Sequence, residues 1–204
     1  MKIICIGRNY EEHARELKNP LPAEPVVFIK PDSALLRNNG PFYIPDFANE
    51  FHYECELVYR INKLGKNIEE RFANRYYDAI GLGVDFTARD LQDELRGKGL
   101  PWEKCKAFDN SAVISSEFTP VESFPDLNNI EFRLTVNDEV RQRGNSADMI
   151  NGIDAIIAYV SKYFTLKIGD LIYTGTPAGV GPVKIGDRLK GYIGDKLYFD
   201  FMVK

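Results

Sequence analysis

Apolar residues recur with a period of two along most of the chain and with helical spacing along only a few stretches. Residues 2–6 form a short apolar run that reads as a buried strand, followed by a turn at Gly7-Arg8-Asn9. Residues 10–17 are Glu-rich and have the pattern of one or two helical turns. The prolines at 20, 22 and 25 exclude regular structure there, because each fixes φ and removes a backbone donor. A strand over 26–30 stops at Pro31, and 33–50 is irregular around the turn Asn38-Asn39-Gly40-Pro41. An alternating strand then runs from Phe51 to about Asn62.

Farther on, residues 68–78 predict a helix and 79–86 an apolar strand. Residues 87–96 predict a second helix, which Asp85 or Thr87 could cap and which Gly97-Lys98-Gly99-Leu100-Pro101 ends. Residues 102–111 read as a mixed polar loop and 112–115 as a short strand. Asn137-Asp138, between two alternating runs, marks a hairpin. Residues 153–164 predict the longest helix, opened by Asp148 or Asn151. Strands over 170–173, 188–193 and 196–203 complete the chain, the last two joined at Gly194-Asp195. Strands outnumber helices without regular alternation, so the pattern predicts an α+β fold built on hairpins and not a doubly wound sheet. Lys167-Ile168-Gly169-Asp170 returns as Lys184-Ile185-Gly186-Asp187, which reads as two similar turns into strands.

Composition narrows the class. A chain of 204 residues fits one domain, 1–204, that buries roughly 70% of its unfolded surface. The net charge of −4 disfavours nucleic acid as a partner. No apolar run reaches the length of a membrane span, and the opening run meets Arg8 too soon for a signal peptide. Cys5, Cys55 and Cys105 are odd in number and far apart, which predicts reduced thiols and a cytoplasmic protein.

Glu54 and Glu56 lie two apart on a strand and so project to one face, with Cys55 and Leu57 facing the other way. Paired carboxylates need water, a cation partner or a divalent ion. An exposed strand face is the plain alternative. Asp85, at the end of an apolar strand, is a helix cap or a third acid; with it the set becomes three oxygen donors, suited to Mg²⁺ or Mn²⁺ and not to zinc. His13 and Glu16 lie three apart on one helical face, either a surface pair or a base whose tautomer the carboxylate fixes. Arg89 and Gln92 share a side of the helix after Asp85, and Lys104 and Lys106 follow. His52 reads as packing beside the acids. The loop from Thr174 to Pro182 is Gly-rich, but Pro182 rules out a Walker loop.

Together these residues resemble the fumarylacetoacetate hydrolase family. The match runs through Gly7-Arg8-Asn9-Tyr10 with His13, Phe28-Ile29-Lys30-Pro31, Glu54-x-Glu56, and Val84-Asp85-Phe86-Thr87-Ala88-Arg89-Asp90. It continues through Lys98-Gly99-Leu100-Pro101-Trp102 with Lys106, then Thr174-Gly175-Thr176-Pro177 and Gly181-Pro182. The resemblance is strongest to single-domain acylpyruvases and oxaloacetate decarboxylases, although residues 107–114 lack the proline-containing stretch of the acylpyruvase and isomerase groups. It implies a mixed β-sheet roll with few short helices, a homodimer, and Mg²⁺ or Mn²⁺ held by Glu54, Glu56 and Asp85. It implies a catalytic His13–Glu16 dyad with Lys106, and a substrate site lined by Arg89, Gln92 and Thr176. Residues 1–50 would carry the dyad and, over 10–25, a lid.

The activity so implied is metal-dependent C–C bond cleavage in a short 2-oxo acid, by acylpyruvate hydrolysis or oxaloacetate decarboxylation. Adjacent oxygens of such an acid can chelate a divalent ion. His13 would activate water in hydrolysis, and decarboxylation needs none. One alternative is a 2-hydroxyhepta-2,4-diene-1,7-dioate isomerase with the dyad as proton shuttle. Another is a non-catalytic metal or oxo-acid binder, against which His13, Glu16 and Lys106 argue.

Overall fold

The computed structural model describes residues 1–16 and 20–204. The strands are β1 (Lys2–Gly7), β2 (Val26–Pro31), β3 (Leu35–Leu36), β4 (Phe51–Tyr53), β5 (Cys55–Ile61), β6 (Tyr77–Asp85), β7 (Thr87–Ala88) and β8 (Ala112–Ile114). They continue with β9 (Thr119–Pro120), β10 (Glu131–Val136), β11 (Glu139–Asn145), β12 (Leu171–Tyr173), β13 (Gly181–Pro182), β14 (Arg188–Ile193) and β15 (Lys196–Met202). The helices are α1 (Glu11–Glu16), α2 (Arg89–Gly97), α3 (Glu103–Lys106) and α4 (Ile153–Val160). The fold is α+β, with mixed sheet and few short helices.

The largest sheet has the order β2-β1-β12-β5-β6-β8-β3, with β9 also on β6. Its β1·β12 and β3·β8 pairs are parallel and its other pairs antiparallel. A second sheet runs β11-β10-β14-β15 and a small third one β13-β4-β7. The core joins them: Leu57, Leu82, Leu134, Leu189 and Phe199 are all buried in one cluster. Phe42 stacks on Phe86 at 3.8 Å between ring centroids, which pins the irregular stretch before β4 against the large sheet.

The hairpin expected at Asn137-Asp138 joins β10 to β11, and both residues adopt positive φ, as the favoured two-residue turn requires. The twin turns are also alike. Asp170 N–H donates to Lys167 O at 3.0 Å and Asp187 N–H to Lys184 O at 3.1 Å, while each Asp carboxylate accepts from the Lys N–H three residues back. All three cysteines are buried and free, and Cys55 lies in the core. No helix among the described residues is long and apolar enough to cross a membrane.

Four expectations change. Residues 68–78 form only a 3-10 turn over Glu70–Arg75, because the chain already enters β6 at Tyr77, whose ring packs on Tyr59. Residues 102–111 contain the single turn α3. The helix placed at 153–164 ends at Val160 and is shorter than α2; its first turn follows Gly152, because the Asn151 side chain turns instead to Asn9. The strand expected from Phe51 to Asn62 breaks at Glu54: β4 pairs with β13 and β7, and β5 with β12 and β6. The break leaves Cys55 N–H to donate to Gln142 Oε1 at 2.9 Å. Of the stretch read as a lid, residues 17–19 lie outside the described residues.

Candidate active site

The β5–β6 ladder assembles the acids. Cys55 opposes Val84 and Glu56 opposes Gly83. The next bond out, Asp85 N–H to Glu54 O at 2.8 Å, makes Glu54 and Asp85 neighbours across the ladder's end. One carboxylate oxygen from each of Glu54, Glu56 and Asp85 lies within 4.8 Å of the others, and all three residues are buried.

Three cations surround two of them. Lys106 Nζ donates to Glu54 Oε2 at 2.8 Å, Asp85 Oδ2 at 2.7 Å and Thr87 Oγ1 at 2.5 Å. Lys30 Nζ, fully buried, reaches Asp85 Oδ1 at 2.6 Å and Ser111 Oγ at 2.9 Å. Arg89 Nη2 donates to Glu54 Oε1 at 2.5 Å and Nη1 to Gln92 Oε1 at 2.6 Å. Burial alone would raise the Glu54 carboxyl, but Lys106 and Arg89 outweigh it and hold it well below the usual range. Burial likewise opposes the charge on Lys106, and Asp85 and Glu54 overcome it, raising its pKa.

Glu56 is the odd member. Its hydrogen-bond partner is a backbone group, Gly175 N–H, which donates to Oε2 at 2.7 Å. Burial, then Asp85 and Glu54, push its carboxyl far up. A buried acid left in that position is what a hard divalent ion would satisfy, and three carboxylates are the donor set for such an ion. The residues present therefore fit a divalent metal ion.

Asp85 and Thr87 do not cap α2. The residue at the cap is Ala88, without a side-chain hydrogen bond. Thr87 Oγ1 instead donates to Glu54 Oε1 at 3.0 Å while accepting from Lys106. The turn of α3 separates the two lysines: Lys104 is exposed and Lys106 buried. His52 does more than pack. It accepts from Arg89 Nε at 3.4 Å and faces Glu50 Oε1 at 2.7 Å.

On α1, His13 Nδ1 lies 3.2 Å from Glu16 Oε2. The Glu16 carboxylate also accepts from Gly179 N–H at 3.1 Å, so the Gly-rich loop holds the dyad's acid in place. Gly179 has φ +98°, and a Cβ there would come within 2.3 Å of Arg141 O. A cleft is lined by His13, the three acids, Lys106, Arg89, Gln92 and Thr176, with Phe28, Trp102, Arg8 and Arg96 completing the wall. The structure thus brings every predicted site residue except Glu16 to the cleft, and Glu16 touches it through His13. The Thr176 hydroxyl is committed to Cys55 O at 2.8 Å and accepts from Gln142 Nε2 at 2.8 Å. Sequence reasoning missed Lys30, Thr87 and Gln142 as parts of this network.

Residues 2–197 match the family described as fumarylacetoacetate (FAA) hydrolase C-terminal. The chain belongs to the fumarylacetoacetate hydrolase family. It is 43% identical over 202 residues to the Bos taurus protein named oxaloacetate tautomerase FAHD1, mitochondrial, covering 99% of this chain and 91% of that one. It is 43% identical over 190 residues to the Dictyostelium discoideum protein named oxaloacetate decarboxylase, mitochondrial, covering 93% and 87%. Among solved structures, fumarylpyruvate hydrolase from Pseudomonas aeruginosa in complex with Mn²⁺ and pyruvate superimposes with a TM-score of 0.93 at 36% identity, covering 100% of this chain and 89% of that one.

Proposed function

We propose that this protein is an enzyme acting next to the carbonyl of a short 2-oxo acid, with oxaloacetate as substrate and with Mg²⁺ or Mn²⁺ held by Glu54, Glu56 and Asp85. One observation carries the reading: His13, held by Glu16, lines a single cleft with a buried lysine and three convergent acids. The names of the relatives support the substrate. When bound, the divalent ion supplies Lewis-acid polarisation of the 2-oxo group.

The chain's own residues supply the rest. With Nδ1 turned to Glu16, His13 keeps Nε2 as its basic nitrogen. That nitrogen takes a proton from C3 of oxaloacetate or returns it, which interconverts keto and enol forms. Lys106 holds the negative charge that gathers on the C2 oxygen. Decarboxylation uses the same charge distribution: the C3–C4 bond breaks, its electrons move toward the C2 oxygen, and CO₂ leaves. Acylpyruvate hydrolysis is a second reading, favoured by the likeness to a fumarylpyruvate hydrolase. There His13 would take a proton from the water that attacks the distal carbonyl, and the C3–C4 bond would break with its electrons passing toward the C2 oxygen, so that pyruvate leaves as its enolate. The homodimer remains part of this proposal, and sedimentation tests it.

The experiment assays oxaloacetate tautomerisation, oxaloacetate decarboxylation and acylpyruvate hydrolysis, each with Mg²⁺ and with EDTA, on the natural protein, His13→Ala and Lys106→Ala. His13→Ala should slow tautomerisation and hydrolysis by roughly 10²–10⁴-fold and decarboxylation much less. Lys106→Ala should slow all three. Equal losses across reactions for His13→Ala would give His13 a role in binding or closure only. No turnover of any of them with Mg²⁺ would leave a binding protein.

A further inference from the structure

Two of the cations that line the cleft are committed to its acids: Lys106 bridges Glu54 and Asp85, and Arg89 grips Glu54. Arg8 is different. It follows β1 with φ 58°, a left-handed conformation that a non-glycine residue adopts only when its surroundings impose it. Asn9, the next residue, anchors the turn. This fully buried side chain donates from Nδ2 to Thr174 O at 2.8 Å and Asn151 O at 3.0 Å, and accepts from Asn151 N–H at 2.9 Å. The clamped turn delivers Arg8, half-buried, into the cleft wall.

Among the described residues, no carboxylate pairs with Arg8. The neighbouring wall is α2, whose residues 89, 92 and 96 share a helical face and all line the cleft. Arg96 also pairs with Asp93 at 3.1 Å, and its positive charge still bears on Arg8. Burial first, then Arg96, work against the charge on Arg8. An anion placed beside Arg8 would relieve both effects. The cleft therefore has two chemically distinct parts, an acidic one suited to a metal-chelating oxo acid and a basic one that asks for a second anion.

We propose that Arg8 receives the second carboxylate of a four-carbon dicarboxylic 2-oxo acid and so selects it over acylpyruvates whose acyl tail carries no charge. The planar guanidinium matches a carboxylate with two parallel hydrogen bonds, which a ketone or alkyl tail cannot accept. This inference rests on the oxo-acid reading above, and within it separates substrates with a second carboxylate from those with an uncharged tail.

The test uses stable ligands, so that it does not depend on turnover. Trp102 is the single tryptophan and lines the cleft, so its fluorescence reports occupancy. Malate and lactate share the 2-hydroxy acid end and differ by one carboxylate. Each is titrated with Mn²⁺ present into the natural protein, Arg8→Gln and Arg8→Lys. The natural protein should bind malate more tightly than lactate. Arg8→Gln should weaken malate by about 10–10²-fold, the loss expected for a charge-assisted hydrogen-bonded pair, and leave lactate unchanged. Arg8→Lys should keep part of the preference. In turnover, kcat/KM for oxaloacetate should fall with Arg8→Gln while that for acetylpyruvate holds. Malate no tighter than lactate in the natural protein would overturn the inference, as would equal weakening of both by Arg8→Gln. Loss of the malate preference on Arg8→Gln, in a protein that turns over no oxo acid, would sink the proposed function and leave this site standing.

Discussion

At one end of the β5–β6 ladder, Arg60 meets Asp78 through two 2.9 Å hydrogen bonds, with side chains 43% and 39% exposed. At the other end, Glu54, Glu56 and Asp85 are packed with Lys30, Lys106 and Arg89, and all six are buried. The two ends of the ladder thus hold the same kinds of charge in two environments, the buried cations arriving from β2, α2 and α3. Water screens the first pair, so it contributes little to stability and is easily replaced. The second cluster cannot exchange its partners for water, so each member depends on the others, and an apolar replacement of the whole set would fold at least as well. The fold keeps six ionisable side chains out of water at one end of the ladder, where a stability role alone does not call for them.

That contrast can be broken by single changes. Lys30→Met leaves Asp85 with one cation fewer in a dry site, and should cost about 3–5 kcal/mol in urea unfolding. A loss no larger than that of an exposed pair would show that water reaches the cluster.

Glu56→Gln should have an intermediate effect whose sign depends on metal and pH. The folded protein holds the Glu56 proton more tightly than the unfolded chain does, owing to burial and the neighbouring Asp85 and Glu54. Stability without metal therefore falls as pH rises from the ordinary glutamate value of about 4.3 through the raised folded value. The amide introduced by Glu56→Gln has no such proton to lose. The metal-free variant should therefore melt higher than the natural protein at pH 7, by about 2–4 °C per kcal/mol relieved. The gap should close as pH falls toward 4. Added Mn²⁺ should reverse the order, because only the intact acid set gains from binding. Calorimetric melting at several pH values, with and without Mn²⁺, checks each part.

The smallest effect belongs to the exposed end. Asp78→Asn should cost about 0.2–1 kcal/mol, and added salt should shrink the difference between the two proteins. A loss approaching that of Lys30→Met would erase the distinction between the two ends.

Much of this was legible in the sequence, for local reasons. The spacing of Glu54 and Glu56 is a property of any strand, the Asn137-Asp138 hairpin is carried by two residues, and the twin Lys-Ile-Gly-Asp turns close on their own side chains. What stayed hidden depends on distant partners. Lys30 looks like an ordinary strand lysine until β2 takes its place at the sheet edge and the side chain reaches Asp85. Gln142 arrives from a hairpin 87 residues beyond Cys55 to complete the break at Glu54. Thr87 and Asp85 stand where a helix cap is expected, yet the charges of Lys30, Lys106 and Glu54 claim them. The helix expected at 68–78 gave way because Tyr77 had to pair across from Ile61.

The central claim is that the acid set at the buried end of this ladder serves turnover of an oxo acid. Its most direct test is the decay of enol oxaloacetate, followed by absorbance, with the natural protein and Glu56→Gln in Mg²⁺ and in EDTA. The natural protein should accelerate the decay in Mg²⁺ and lose that acceleration in EDTA, and Glu56→Gln should remain folded and inactive in both. Equal rates with and without metal, or full activity in Glu56→Gln, would contradict it.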